Sequence, residues 1–330
     1  MPDSGKNSVS KVSVQEDAQD QRLDNYLFRL CKGVPKSHIL RIIRKGEVRV
    51  NGKRAAVSAR LSLGDIVRIP PIRVARRAEE EGAPPAIRLP VVYEDDALLV
   101  IDKPSGIAVH GGSGVSFGVI ETLRRQRPEA KFLELAHRLD KETSGLLLVG
   151  KKRSALTALH ETFRDEGRAR VDKRYLLLVC GRWMEPLTDV RRPLLKYSLE
   201  NGERRVCVSE EGKASRTVFR LRSRWENFSL LEARLKTGRT HQIRAHCASL
   251  GFPVAGDDKY GDYSLNRNLR KAGLKRLFLH AWKLALPHPV TRDALSLESP
   301  LPDALKAFLA RLSAHENQDY CQDDGRGQAL

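Results

Sequence analysis

Between residues 70 and 90 the apolar periodicity of the chain stops. Pro70-Pro71, Glu79-Glu-Glu-Gly82 and Pro84-Pro85 follow one another, and no helical or strand repeat passes through them. Proline fixes φ and lacks a backbone donor, so such a stretch neither extends a helix nor enters the middle of a sheet. It reads as a semi-rigid spacer, and it divides the 330 residues into a small unit and a large one. The expected layout is a disordered lead-in at 1–19, a small domain at 20–75, a linker at 76–89, a large domain at 90–314 and a tail at 315–330.

Charge separates the same two units. Lys plus Arg number 59 against 41 Asp plus Glu, a formal +18. Residues 22–77 hold 15 basic and 3 acidic residues, so +12 of that excess sits in the first quarter of the chain. Solubility alone is served by mixed signs. Crowded charge of one sign favours a polyanion, either nucleic acid or an anionic membrane surface. No apolar run approaches a spanning helix, and Met1–Gln21 lacks the apolar stretch of a secretory signal. The five cysteines are widely spaced with no CxxC, which argues against a zinc site or a disulfide framework and for reduced thiols in a cytoplasmic protein.

The basic segment has a readable architecture. Leu23, Leu27 and Leu30 mark one helix face. Ser37 can cap a second helix carrying Ile39, Leu40 and Ile43, with Lys36, Arg41, Arg44 and Lys45 facing outward. Glu47-Val-Arg-Val50 then alternates, and Asn51-Gly52 supplies a type I′ hairpin turn. From Arg22-Leu-Asp-Asn-Tyr-Leu27 through Lys36 to Lys53, this pattern resembles the S4 RNA-binding domain. The resemblance implies a docking surface for structured RNA, with Arg22, Lys36, Arg41, Arg44, Lys45, Arg49 and Lys53 as its candidate contacts.

Beyond the spacer, short strands and helices alternate without βαβ regularity. The expectation is an α+β domain around a mixed, mainly antiparallel sheet. Strands are expected at 91–93, 98–101, 145–149, 175–179, 217–221, 228–235 and 277–286. Helices are expected at 117–126, from Ser154 to near Gly167, at 240–250 and at 303–312.

Two segments of this domain are chemically dense. His137-Arg-Leu-Asp-Lys-Glu-Thr-Ser-Gly145 is a polar loop ahead of a buried strand, where catalytic groups commonly sit; taken alone it also fits a turn in which Asp140 bonds its own backbone. Thr237-Gly-Arg-Thr-His-Gln-Ile-Arg-Ala-His246 opens a helix, and its Arg239 and Arg244 suit phosphate or carboxylate partners. His241 and His246 are five apart, poor spacing for a metal on a helix.

Together these segments resemble the central and arginine motifs of the RluA family of pseudouridine synthases. Val92-Tyr-Glu-Asp-Asp-Ala-Leu-Leu-Val-Ile-Asp-Lys-Pro-Ser-Gly106 resembles its opening motif, and Arg174-Tyr175 ahead of an apolar strand resembles its tyrosine motif. The four lie in the family's order over about residues 90 to 300. The resemblance implies isomerisation of uridine: the N1–C1′ bond breaks, the uracil rotates, and C5 joins C1′. One bond replaces another, so no cofactor is implied, and the sequence carries no GxGxxG after a strand and no GxxxxGK[ST].

By the same resemblance Asp140 is the essential carboxylate, adding to sugar or base or removing a sugar proton. Arg244 is its ionic partner. Tyr175 stacks on the uracil, its hydroxyl aiding removal of the C5 proton. His137, Arg138 and Arg239 serve the RNA, Arg138 filling the stack that a flipped base leaves, and Leu277 and Leu279 wall the base pocket. The partner implied is large-subunit (23S) ribosomal RNA, bare or in an assembly intermediate, met by a monomer.

Three other readings compete. A glycoside hydrolase needs two flanking carboxylates, for which the loop offers Asp140 and Glu142. An RNA-binding module without catalysis fits the charge equally, but has no need of Asp140, Tyr175 and Arg244 together. The related small-subunit synthases carry S4 modules too, but there the residue before Arg-Leu-Asp is typically Gly, where this chain has His137.

Overall fold

The computed structural model describes residues 9–31, 34–72, 87–111, 117–164, 171–200 and 203–323, without the side chains of Lys36 and 315–323. The chain forms two compact units. One is built on the residues up to Ile87, with the short segments Pro128–Phe132 and Lys151–Ser154 grouped to it, and the other takes the rest from Arg88. Of the expected lead-in and linker, 1–8 and 76–86 lie outside the described residues.

The first unit comprises β1 (Ser10–Ser13), α1 (Leu23–Leu30), α2 (Lys36–Arg44), β2 (Arg49–Val50), β3 (Lys53–Arg54) and β4 (Ile66–Ile69). Its sheet runs β1-β4-β2-β3. The lead-in is therefore shorter than expected: β1 pairs with β4 from Ser10↔Ile69 to Ser13↔Ile66, and Val14 and Ala18 are buried. Val12 packs against the same core, and backbone pairing, invisible to composition, does the rest. Asn51 and Gly52 turn the hairpin with φ of 50° and 78°, as a type I′ turn requires. The core gathers Leu23, Tyr26 and Leu27 of α1 with Ile39, Ile42 and Ile43 of α2. Leu30 is 42% exposed, so Tyr26 takes the place expected for it. The N-cap of α2 is Pro35, so Ser37 lies inside the helix.

The second unit holds β5 (Val91–Glu94), β6 (Leu98–Lys103), α3 (Val119–Gln126), β7 (Glu134–Leu135), β8 (Ser144–Gly150), α4 (Arg153–Arg164), β9 (Asp172–Cys180), β10 (Leu187–Val190), β11 (Leu194–Ser198) and β12 (Arg204–Val208). It continues with β13 (Thr217–Arg224), β14 (Phe228–Leu235), α5 (Gln242–Ser249), α6 (Tyr263–Lys271), β15 (Leu279–Pro287), β16 (Ala294–Glu298) and α7 (Asp303–Asp323). A ten-stranded sheet runs β10-β13-β14-β9-β15-β8-β6-β5, with β16 on β15 and β7 on β8. All pairings are antiparallel except β8–β15, so the mixed sheet is as expected. α7 continues to Asp323, so the backbone expected as a tail from 315 is helical for its first half.

The parallel seam holds the sheet's two halves together through only Ser144↔His280 and Ala281↔Gly145. Side chains reinforce it. Arg276 Nη2 donates to Ser144 Oγ at 2.7 Å, Ser144 Oγ meets His280 Nδ1 at 2.8 Å, and His280 Nε2 meets the Ser299 carbonyl at 2.9 Å. Gly145 is obligatory here. Its φ is 109°, and a Cβ would stand 2.2 Å from the Ala281 carbonyl oxygen, a distance no side chain tolerates.

Beyond the seam, α6 and α7 bring Leu269, Leu305 and Phe308 against Leu178 and Phe278. The β11–β12 hairpin lays Leu194 and Val206 on Ala245 of α5. Each leucine so buried contributes about 1.5–3 kcal/mol relative to exposure. No described helix is long and apolar enough to cross a membrane.

Candidate active site

One row of the sheet sets the geometry. Ala281 on β15 pairs with Gly145 on one side and Tyr175 on the other, and Tyr175 pairs in turn with Ala233 of β14. Paired residues share a face, so the tyrosine ring has small neighbours and room to stand over the sheet. The same row brings the loop ahead of Gly145, which carries Asp140, beside Tyr175. The turn after β14 then delivers residues 237–241 and helix α5 to the same place.

These segments line a cleft of about 480 Å³ whose walls include Leu139, Asp140, Tyr175, Ile243, Arg244 and Leu279. That volume falls within the roughly 300–1,000 Å³ of small-molecule sites.

The Asp140 loop is clamped from behind by residues 103–106. Lys103 is fully buried, and its Nζ donates to the carbonyls of Pro104, Ile107 and Lys141 at 2.8, 2.8 and 3.0 Å. Burial lowers its pKa to about 7; three carbonyl acceptors fit the three hydrogens of the ammonium form. Ser105 Oγ donates to the Glu142 carbonyl and the Gly106 amide to that of Lys141.

Asp140 is the open carboxylate of the cleft, its side chain 24% exposed. Oδ2 accepts from Arg244 Nη1 at 3.2 Å, and Oδ1 lies 3.8 Å from His241 Nε2. Arg244 is itself gripped from the far side. Its Nε and Nη2 donate to the two oxygens of Asp257 at 2.7 Å each, and its guanidinium lies 5.2 Å from the centre of the Tyr260 ring. Burial opposes the guanidinium charge, but the bonds to Asp257 and the charges of Asp257 and Asp140 outweigh it, and the pKa rises. Asp257 also accepts from the amides of Lys259 and Tyr260. Arg244 is thus a fixed cation aimed at Asp140. Burial, then the Asp140 charge, raise the pKa of Tyr175 and keep it a phenol.

The other expected site residues divide. Arg138 and Arg239 are exposed on the cleft wall, and Arg239 Nε donates to the Ala214 carbonyl at 3.1 Å. His137 lines the cleft, but its Nε2 accepts from the Leu148 amide at 3.1 Å and its ring packs edge-on to Phe163. Burial lowers its pKa to about 4, so it is neutral and occupied by the fold. Leu279 lines the cleft. Leu277 does not: β15 starts only at Leu279, so strand alternation fails to carry Leu277 to the same face, and it is 2% exposed in the interior.

In the first unit, Arg41, Arg44, Lys45, Arg49 and Lys53 are all exposed. Arg22 is tied by two hydrogen bonds to Asp24 on the first turn of α1. The Lys36 side chain lies outside the described residues. Asp257, Tyr260 and Lys103 are the site-building residues that motif reading left without a role. Lys103 sits in the opening motif at 92–106, Asp257 and Tyr260 lie outside the four motifs, and the contacts all three make are long-range.

The model of the RNA pseudouridylate synthase family matches residues 97–249, and that of the S4 domain residues 21–67. Ribosomal large subunit pseudouridine synthase C of Escherichia coli (strain K12) is 52% identical over 312 residues, which cover 92% of this chain and 97% of that protein. The chain belongs to the RNA pseudouridine synthases. The protein of the same name from Pasteurella multocida (strain Pm70) is 49% identical over 94% of this chain and 96% of its own. Among solved structures, human RNA pseudouridylate synthase domain containing 1 superposes with a TM-score of 0.56 at 28% identity, over 67% of this chain and 87% of that one. Human RNA pseudouridylate synthase domain containing 4 gives 0.56 at 27%, over 68% and 93%.

Proposed function

We propose that this synthase isomerises specific uridines of large-subunit (23S) ribosomal RNA, with Asp140 as the reacting carboxylate. The observation that carries the reading is the pairing of Asp140 Oδ2 with the buried Arg244 at 3.2 Å on the cleft wall. A fixed cation on Oδ2 orients the carboxylate and leaves Oδ1 turned to the cleft. The names of the 49–53% identical relatives supply the ribosomal substrate class.

A uridine within structured RNA is reached by flipping it out, at a cost of a few kcal/mol. Arg138, exposed on the cleft wall, fills the vacated stack, and Arg239 meets the backbone. The base lies against Tyr175 and Leu279. Asp140 initiates cleavage of N1–C1′; the freed uracil turns, C5 joins C1′, C5 loses its proton and N1 gains one. Substrate and product are isomers, so neither redox equivalents nor energy input is consumed. Burial disfavours a phenolate at Tyr175, so its hydroxyl acts as a hydrogen-bonding group that relays the C5 proton. The exposed basic residues of α2 and the β2–β3 hairpin dock the surrounding RNA. The enzyme acts as a cytoplasmic monomer, on bare RNA or on an assembly intermediate.

Mapping pseudouridines in ribosomal RNA from cells with and without the gene tests this. Specific 23S positions should lose modification in the deletion strain, regain it with the wild-type gene, and stay uridine with Asp140→Asn. An unchanged large-subunit map would overturn the substrate assignment.

A further inference from the structure

His241 on the cleft wall and its neighbour Tyr260 have no part in the reaction as assigned. His241 is the N-cap of α5 with φ of 51° and ψ of 21°, the left-handed region that residues bearing a Cβ seldom occupy. Its side chain is 14% exposed, with Nε2 3.8 Å from Asp140 Oδ1. On its other edge Nδ1 lies 2.8 Å from Tyr260 Oη, and that oxygen accepts from the Val206 amide at 2.9 Å. The rings meet nearly perpendicular, at 79°.

Counting hydrogens favours one tautomer. A phenol has one hydrogen and two lone pairs, and a neutral imidazole has one donor and one acceptor nitrogen. The Val206 amide occupies one lone pair of Tyr260. If Nδ1 carried the imidazole hydrogen, it would occupy the other, and the phenolic hydrogen would have no acceptor among the described residues. If the phenol donates to Nδ1 instead, the phenolic hydrogen is placed, and Nε2 turns a hydrogen rather than a lone pair toward the Asp140 carboxylate 3.8 Å away. The imidazole hydrogen then sits on Nε2 and faces Asp140.

We infer that His241 is a positioning residue: a neutral imidazole, locked by Tyr260 as the Nε2–H tautomer, that presents its N–H to Oδ1 of Asp140 while Arg244 holds Oδ2. The inference rests on the reading of Asp140 as the reacting carboxylate. At 3.8 Å the N–H does not yet form a hydrogen bond, and an approach of roughly 1 Å closes it. A neutral donor suits the position because it orients the carboxylate without cancelling its charge, which a second cation beside Arg244 would do. Burial and the cations Arg244 and Lys259 oppose protonation of His241, against Asp140 and Asp257, which favour it, and the net direction is toward the neutral ring.

The test uses the full chain. Histidine-selective ¹⁵N labelling and long-range ¹H–¹⁵N NMR report each tautomer, with the His241 signal assigned by its loss in His241→Gln. The wild type should show the hydrogen on Nε2 at neutral pH, and Tyr260→Phe, which keeps the ring and removes the lock, should give a mixture of tautomers. In single-turnover assays His241→Ala should slow the chemical step at least tenfold, with less than a threefold change in the RNA concentration giving half-maximal rate. His241→Gln, whose amide carries an N–H to a similar reach, should recover at least threefold over Ala. A hydrogen on Nδ1 in the wild type, a folded His241→Ala variant with the wild-type rate, or a Gln variant no better than Ala overturns the proposal. The two readings fail separately. Turnover by Asp140→Asn sinks the role of Asp140 and this proposal with it, whereas an inert Asp140→Asn beside a fully active His241→Ala sinks only the role of His241.

Discussion

Replacing Asp257 by Asn leaves the buried guanidinium of Arg244 without its main counter-charge. The side chains of Arg244 and Asp257 are 4% and 0% exposed, and two 2.7 Å hydrogen bonds join them. An amide at 257 keeps one acceptor oxygen but turns an NH₂ toward a guanidinium nitrogen, so one charge-assisted bond is lost outright and the other weakened. Such bonds are worth about 1.5–3 kcal/mol each, and breaking one partner of a buried pair costs about 3–5 kcal/mol. At roughly 2–4 °C per kcal/mol for a unit of this size, the melting temperature should fall by roughly 6–20 °C. Arg244 then turns toward Asp140 and displaces it, which at about 1 Å costs on the order of 10²-fold in turnover. Calorimetry and tritium release, measured below the new midpoint, read the two effects. The double variant Arg244→Met/Asp257→Asn should be more stable than Asp257→Asn alone, because no unpaired cation remains, yet inactive. An Asp257→Asn enzyme with wild-type midpoint and turnover, or a double variant whose stability loss is the sum of the two singles, would refute the reasoning.

Removing the charges of α2 with Arg41→Ala, Arg44→Ala and Lys45→Ala together should weaken RNA binding and flatten its log–log salt dependence by roughly 2–3 units; an unchanged slope in a filter-binding titration would remove α2 from the docking surface. Gly145→Ala should prevent accumulation of folded second unit, since the added Cβ meets the backbone of Ala281; a wild-type melting curve would contradict the seam geometry. His137 is held neutral with its pKa lowered to about 4, so the unfolded chain binds its proton first as pH falls. Its contribution to stability should be complete above about pH 6.5 and lost progressively toward pH 4. Urea unfolding across that range should show a shallower pH dependence in His137→Gln; an equal dependence would show that His137 does not carry it.

What the sequence discloses here is what local pattern encodes. The basic module, the Asn51-Gly52 hairpin and the buried run of β8 depend on neighbours within a few residues, and each appears where expected. The elements missed depend on distant partners. β10, β11 and β12 are short and polar, and they are strands because β13 and α5 lie beside them. α6 shows only Leu265 and Leu269 as an apolar face, and a buried Asn266 bonds the Asp257 carbonyl and the Gly256 amide. The same division holds in the cleft. Asp140, Tyr175 and Arg244 stand out by motif, but that they meet follows from the row Gly145, Ala281, Tyr175, whose strands are far apart in the chain. His137 lines the cleft beside the reactive loop, but that its ring also accepts a strand amide is a long-range contact the motif does not show.

The role of Asp140 is tested most directly by Asp140→Asn in a tritium-release assay on 23S RNA labelled at uridine C5. The amide preserves shape and can still accept from Arg244, but it can act neither as nucleophile nor as base. The expected result is no release above background, with RNA affinity within several-fold of wild type and an intact melting transition. Substantial release by the folded variant would show that another group carries the chemistry.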